Sequence, residues 1–150
     1  MRIALFEPEI AGNVGAVMRL GACLGVGIDL IEPMGFTWDD RRVRRTAMDY
    51  IDHVDVQRFA NWPEFFAVRG NARLCLLTTR ASTNVYDHHF DADDILLFGK
   101  ESAGVPDHVR AAAPVHLKLP IRPMVRSFNL ATTAAIVAAE ALRQTESLPR

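Results

Sequence analysis

Cysteine is scarce: Cys23 and Cys75 are the only two in 150 residues, and neither belongs to a CxxC pair or a Cys/His ligand spacing. That excludes a disulfide scaffold and a zinc-finger pattern, and no metal is expected. Both thiols lie in apolar segments, so we expect them buried and reduced, in a cytoplasmic protein. No apolar run reaches the length of a membrane span, and the first residues lack a signal-peptide pattern, so no membrane partner is expected. Excess basic charge is also missing: 17 Lys and Arg face 18 Asp and Glu, a formal net charge of −1. A uniformly basic nucleic-acid binder is excluded, while a local basic patch is not. Internal repeats, low-complexity tracts and Pro/Gly/Ser-rich linkers are absent as well. What is left is a chain of one-domain length, residues 1–150, with 49% hydrophobic residues, enough to bury a substantial core.

What is present centres on Ile95-Leu96-Leu97-Phe98-Gly99-Lys100-Glu101-Ser102-Ala103-Gly104-Val105-Pro106. Four apolar residues after Asp93-Asp94 predict a strand buried on both faces. Gly99 allows a sharp turn and a close approach of ligand to backbone. Pro106 then opens a short helix. A buried strand ending in such a loop is where open α/β sheets place ligands, although an ordinary strand-to-helix connection reads the same. Two further apolar strands, Arg73–Leu77 and Val115–Leu119, end in a similar way. If the three are parallel neighbours, Leu77, Gly99 and Leu119 converge on one crevice whose backbone groups could read a flat heterocycle.

The rest of the chain fits the same architecture. Arg2–Phe6 is a first strand, and Asn13 is the expected N-cap of a helix from Val14 to Leu24. Gly15, Ala16, Gly21 and Ala22 make that helix lean, so another backbone should pack against it, and Arg19 is its only charged side chain. A lone arginine there is either a snorkelling surface residue or a functional cation. Val26–Ile31 is a second strand. Asp39-Asp40-Arg41-Arg42-Val43-Arg44-Arg45 follows beside Trp38. Such runs are most often a solvated helix face, but guanidinium groups bind phosphate well, and this is the candidate RNA-facing surface. A weak strand around Val54–Val56 and a helix from Pro63 to Val68 capped by Asn61 come next. His88 and His89 have no ligand spacing and receive no role. Asn129 starts an alanine-rich final helix to about Gln144, apolar nearly all round, which needs cover from the sheet and a second subunit. The fold class is α/β, with a mainly parallel sheet flanked by helices.

Four stretches, in this order, resemble successive motifs of the SPOUT methyltransferases: Glu7-Pro8-Glu9-Ile10-Ala11-Gly12-Asn13-Val14-Gly15 with Arg19; Ile31-Glu32-Pro33-Met34-Gly35-Phe36; Phe98 to Pro106; and Arg126-Ser127-Phe128-Asn129-Leu130. The chain is most similar to the small, single-domain tRNA (cytidine/uridine-34)-2′-O-methyltransferases, nearly end to end. That resemblance implies a C-terminal trefoil knot, a homodimer, S-adenosylmethionine as cofactor, and tRNA, with leucine isoacceptors as substrates. It places the cofactor against Leu77, Gly99, Leu119 and Ser127. Arg19, Ser127 and Asn129 match its catalytic positions, and Asn13, Arg41, Arg42, Arg45 and Glu101 are the residues assigned to RNA. Two departures stand out: no proline precedes Asn13, and Ala131-Thr132 replaces the usual Ser-Asn. Two rival readings stay open. Strand one, the Gly12/Gly15 loop and Glu32 partly mimic a dinucleotide-binding fingerprint, though GxGxxG is missing. The arginine run could also serve a non-catalytic RNA-binding module.

Overall fold

A strand that is covered on both faces must be apolar on both, and the runs above meet that demand. The computed structural model describes residues 1–39 and 48–150. Seven strands, β1 (Arg2–Phe6), β2 (Gly27–Ile31), β3 (Val56–Phe59), β4 (Leu74–Leu77), β5 (Thr83–Asn84), β6 (Ile95–Phe98) and β7 (Val115–Lys118), form one sheet. Their order is β3-β2-β1-β6-β4-β7-β5, and every pairing is parallel. Among the described residues the α-helices are α1 (Ala11–Leu24), α2 (Trp62–Val68), α3 (Asp107–Ala112) and α4 (Leu130–Gln144).

Successive strand residues point to opposite faces, and the core divides accordingly. Ile3, Leu5, Ile28, Leu30, Leu96 and Phe98 pack with Val14, Val17 and Met18 of α1 and Val137, Ala138 and Ala141 of α4. Ala4, Phe6, Ile31, Leu76 and Leu97 pack on the other face with Trp62 and Phe65 of α2 and Val109 of α3. The lean α1 does admit a close backbone: a Cβ on Gly21 would stand 2.7 Å from the Val26 carbonyl oxygen. Helix caps follow the sequence at two places. Asn61 Oδ1 accepts from the Glu64 N–H at 2.9 Å, and Asn129 Oδ1 accepts from the N–H groups of Ala131 and Thr132.

Three expectations are corrected. Asn13 does not cap α1, which begins two residues earlier at Ala11 with Ile10 in the cap position and no side-chain cap bond. The anion that this helix end attracts comes from elsewhere in the chain: Glu101 accepts from the backbone N–H groups of Glu9 (2.8 Å) and Ile10 (3.3 Å). The third strand starts at Val56, where pairing with β2 begins. Cys75 is buried as expected, but Cys23 lies on the outward side of α1 and is exposed. Arg41, Arg42, Arg44 and Arg45 lie outside the described residues.

Candidate active site

Because β6, β4 and β7 are consecutive and parallel, their C-terminal ends reach one edge of the sheet. The loops that follow them, with the loop before α4, wall a cleft of about 640 Å³. That volume lies within the usual range of small-molecule sites. Leu77, Gly99, Leu119, Ser127 and Asn129 all line it, and so do Asn13 and Glu101. The convergence of the three strand ends is therefore realised. Ile121, Arg126 and Phe128 also line it, none of them assigned a role from the sequence. Arg126 adds a cation and Phe128 a half-exposed aromatic ring at the rim.

Gly99 is required for a reason other than ligand approach. Lys100 and Gly104 exchange two backbone hydrogen bonds of 2.9 Å, closing the loop on itself. A Cβ at position 99 would lie 2.4 Å from the Gly104 carbonyl carbon, and Gly104 itself has φ +68°. Gly99→Val is expected to cost about 1–3 kcal/mol as overpacking and to weaken S-adenosylhomocysteine binding together with it. Thermal unfolding and calorimetric titration read the two losses. An unchanged melting temperature would show that the loop can open at no cost.

A polar network then ties three loops together across this cleft. Glu101 Oε1 accepts from Asn13 Nδ2 at 3.0 Å, in addition to its two backbone bonds. Asn13 Oδ1 in turn accepts from Asn129 Nδ2 at 2.8 Å. Beside it, Glu9 accepts from the Ser102 N–H at 2.8 Å and its hydroxyl at 2.7 Å, which holds the Glu9 carboxyl below its ordinary pKa. Glu7 pairs with Lys100 at 2.5 Å. The acidic residues of the β1–α1 loop are thus used to bind the β6 loop. None of these ties was visible in the sequence, because the partners are 88 to 116 residues apart.

Arg19 stands apart. It is exposed on α1, its guanidinium lies 4.9 Å from the centre of the Tyr50 ring, and it does not line the cleft of its own chain. Asn13 and Arg19 are six residues apart, which turns their side chains to different sides of the helix. His88 meets Cys75 (Sγ to Nε2 3.9 Å) and Asp94 in a cluster before the start of β6, away from the cleft. Both oxygens of Asp94 there accept from Arg73 at 2.8 Å. Burial pushes the Cys75 thiol up to about 12. Glu32, the carboxylate that the dinucleotide reading needs, accepts from Arg58. The cleft, moreover, sits beyond β6, β4 and β7 rather than between β1 and β2.

Fold and cleft together define a parallel α/β ligand-binding protein whose site is completed by the loop before its last helix. The family is then given by comparison: the chain belongs to the SpoU rRNA methylase family, whose model matches residues 1–139. It is 47% identical to the tRNA (cytidine(34)-2′-O)-methyltransferase of Beijerinckia indica, over 99% of this chain and 94% of that one. The protein of the same name from Ancylobacter novellus is 40% identical, over 100% and 96% of the two chains. A solved structure concerned with 2-OH methylation of C/U34 on tRNA superposes with a TM-score of 0.90 at 38% identity, covering 95% of this chain and 94% of that one.

Proposed function

We propose that this protein transfers a methyl group from S-adenosylmethionine to the ribose 2′-oxygen of nucleotide 34 of tRNA. The observation that carries the reading is the convergence of Leu77, Gly99, Leu119, Ser127 and Asn129 on one cleft at the strand ends. The full-length relatedness to enzymes named for that reaction supports it. The cleft fits the cofactor: leucine side chains offer a flat apolar wall, and loop backbone and amide groups lie beside it. S-adenosylmethionine, when bound, supplies an electrophilic methyl on a sulfonium.

In-line attack by an oxygen nucleophile consumes opposite charges, so a water-poor pocket with few uncompensated charges favours it, and no Lewis acid is required. The carboxylates nearest the cleft meet this condition, being already bonded to backbone, hydroxyl or ammonium groups. Ser127 and Asn129 hold the cofactor and the ribose. Arg19 holds a phosphate and stabilises charge developing on the 2′-oxygen; a guanidinium presents donors and no acceptor, so it is not the base.

The same reading includes a homodimer. Gly12, Ala16, Arg19 and Cys23 form an exposed or half-exposed stripe of mostly small residues along α1, against which a second backbone can pack closely. Since Arg19 does not line its own chain's cleft, it serves the cleft of the partner. The passage from β7 through residues 119–129 to α4 is the segment that forms the trefoil knot in this reading. The arginines at 41, 42 and 45, outside the described residues, are assigned to RNA in the same reading.

The test is direct. Purified protein, S-adenosylmethionine and bulk tRNA are incubated and ribose methylation is mapped by nucleotide. Methylation confined to position 34 is expected. Methylation elsewhere, or calorimetric binding of NADH in place of S-adenosylhomocysteine, overturns the reading.

A further inference from the structure

The hydrogen bonds from Glu101 through Asn13 to Asn129 have only one possible polarity. An ionised carboxylate accepts and cannot donate, so Asn13 must turn its NH₂ toward Glu101, with Nδ2 to Oε1 at 3.0 Å. Its carbonyl oxygen then faces Asn129, which must answer with its own NH₂, at 2.8 Å. The Asn129 carbonyl oxygen is left for the first turn of α4, where two N–H groups need an acceptor, and it takes them at 2.9 and 3.3 Å. Both ends of the chain impose the same direction. Asn13 is 9% exposed, so a wrongly turned amide there would bury a mismatched pair instead of turning to water.

We propose that Glu101 and Asn13 are positioning residues. They fix Asn129 as a hydrogen-bond donor toward the cleft, and neither has its main role in touching RNA. Glu101 is committed to the Glu9 and Ile10 N–H groups and to Asn13, three donors from the β1–α1 segment. Asn13 spends one amide end on each neighbour. Of the two hydrogens on Asn129 Nδ2, the relay uses one, and the residue lines the cleft. The second hydrogen is the group offered to an incoming oxygen. The inference rests on the methyltransferase reading of this cleft and assigns two of its residues.

A swap of the two polar groups tests it. In Glu101→Gln, the new amide still accepts on one side but sets a donor against a donor on the other. In Asn13→Asp, two carboxylates meet where a donor met an acceptor. In the double variant Asn13→Asp/Glu101→Gln, the amide at position 101 accepts from the Glu9 N–H and donates to the carboxylate at position 13, giving up the longer bond from the Ile10 N–H, which shares the oxygen that faces Asn13. That carboxylate then accepts from Asn129, so the direction at Asn129 is restored. Each single change is expected to lower kcat for tRNA on the order of 10- to 100-fold, the penalty for a misplaced group, with KM for tRNA little changed. The double variant is expected to recover most of that loss.

The Asn13→Asp single variant has a further signature. When its new carboxyl carries a proton, it donates to Glu101 and again accepts from Asn129. Two adjacent carboxylates hold that proton to unusually high pH, so activity falls as pH rises through the raised pKa, a limb that wild type and double variant lack. Among the described residues, the charged groups near the pair are Glu9, Glu7 and Lys100 on the two loops and Arg80, Arg110, Lys118 and Arg126 lining the same cleft, all present in every variant. Thermal unfolding and S-adenosylhomocysteine affinity are measured in parallel. The proposal is overturned if the double variant is no better than the worse single one. It is also overturned if the variants raise only KM for tRNA, which marks direct RNA contacts, or lower only the melting temperature. Should wild type transfer no methyl to tRNA, the methyltransferase reading fails. The relay is then judged by whether the double variant restores the melting temperature and ligand affinity lost in the singles.

Discussion

Arg19→Ala is expected to lower kcat for methyl transfer on the order of 100- to 1,000-fold, the loss seen when one group aimed at developing charge is removed. Affinity for S-adenosylhomocysteine should hardly move, since the residue does not line the cofactor cleft of its own chain. Loss of the stacking on Tyr50 alone costs about 0.5–1 kcal/mol at such an exposed site, and thermal unfolding of the variant is measured alongside. In the proposed homodimer, mixed pairs decide which protomer it serves. An Arg19→Ala chain paired with a Ser127→Ala chain contains one complete site if Arg19 acts across the interface and none if it acts within its own chain. Recovery of activity on mixing two inactive variants is the expected result, and light scattering reports whether the dimer is intact. A near wild-type rate for Arg19→Ala would place the catalytic centre elsewhere.

The second large effect is on stability. Asp94 is fully buried just before β6, and Arg73, one-third exposed, donates to both of its carboxylate oxygens at 2.8 Å. Arg73→Ala leaves a buried carboxylate beside the Asp91 N–H at 2.9 Å, the Cys75 thiol and the His88 ring, with no cation among the described residues bonded to it in place of the guanidinium. Breaking a buried pair in this way costs about 3 kcal/mol or more. For a chain of this length the melting temperature should fall by roughly 6–12 °C. Scanning calorimetry measures it, and Arg73→Ala/Asp94→Ala should be less destabilised than Arg73→Ala alone. A drop under about 2 °C would show that water replaces the arginine.

The central strands are legible in the sequence because β1, β2, β4 and β6 are largely apolar on both faces, and the cleft because three strands end alongside one another; β3 and β7 mix polar residues in, and the two-residue β5 carries no strand signal. The caps at Asn61 and Asn129 can be read from residue type and position alone. Less can be read at Asn13, whose cap-like chemistry is diverted to Glu101 and Asn129 by contacts 88 and 116 residues away. Gly99 reads as a position without room for a side chain, but the obstacle is the Gly104 backbone. Cys23 is exposed against expectation because an apolar helix segment does not reveal which of its sides faces the sheet. The location of Arg19 depends on helix rotation in the same way. Strand order lies beyond local pattern altogether, since nothing in Ile95–Phe98 states that it belongs between β1 and β4.

That order has a consequence for how the chain is made. On the ribosome β1, β2 and β3 emerge first and can pair among themselves, but one edge of β1 must wait for residues 95–98. At typical elongation rates that wait is roughly 5–20 s. Throughout it, a hydrophobic strand presents unpaired backbone groups, the kind of edge on which nascent chains aggregate. β4 has the same dependence, because it pairs with β6 and β7 and both are synthesised later. The sheet therefore closes from its middle, late, through contacts distant in sequence, which is the topology that folds slowly.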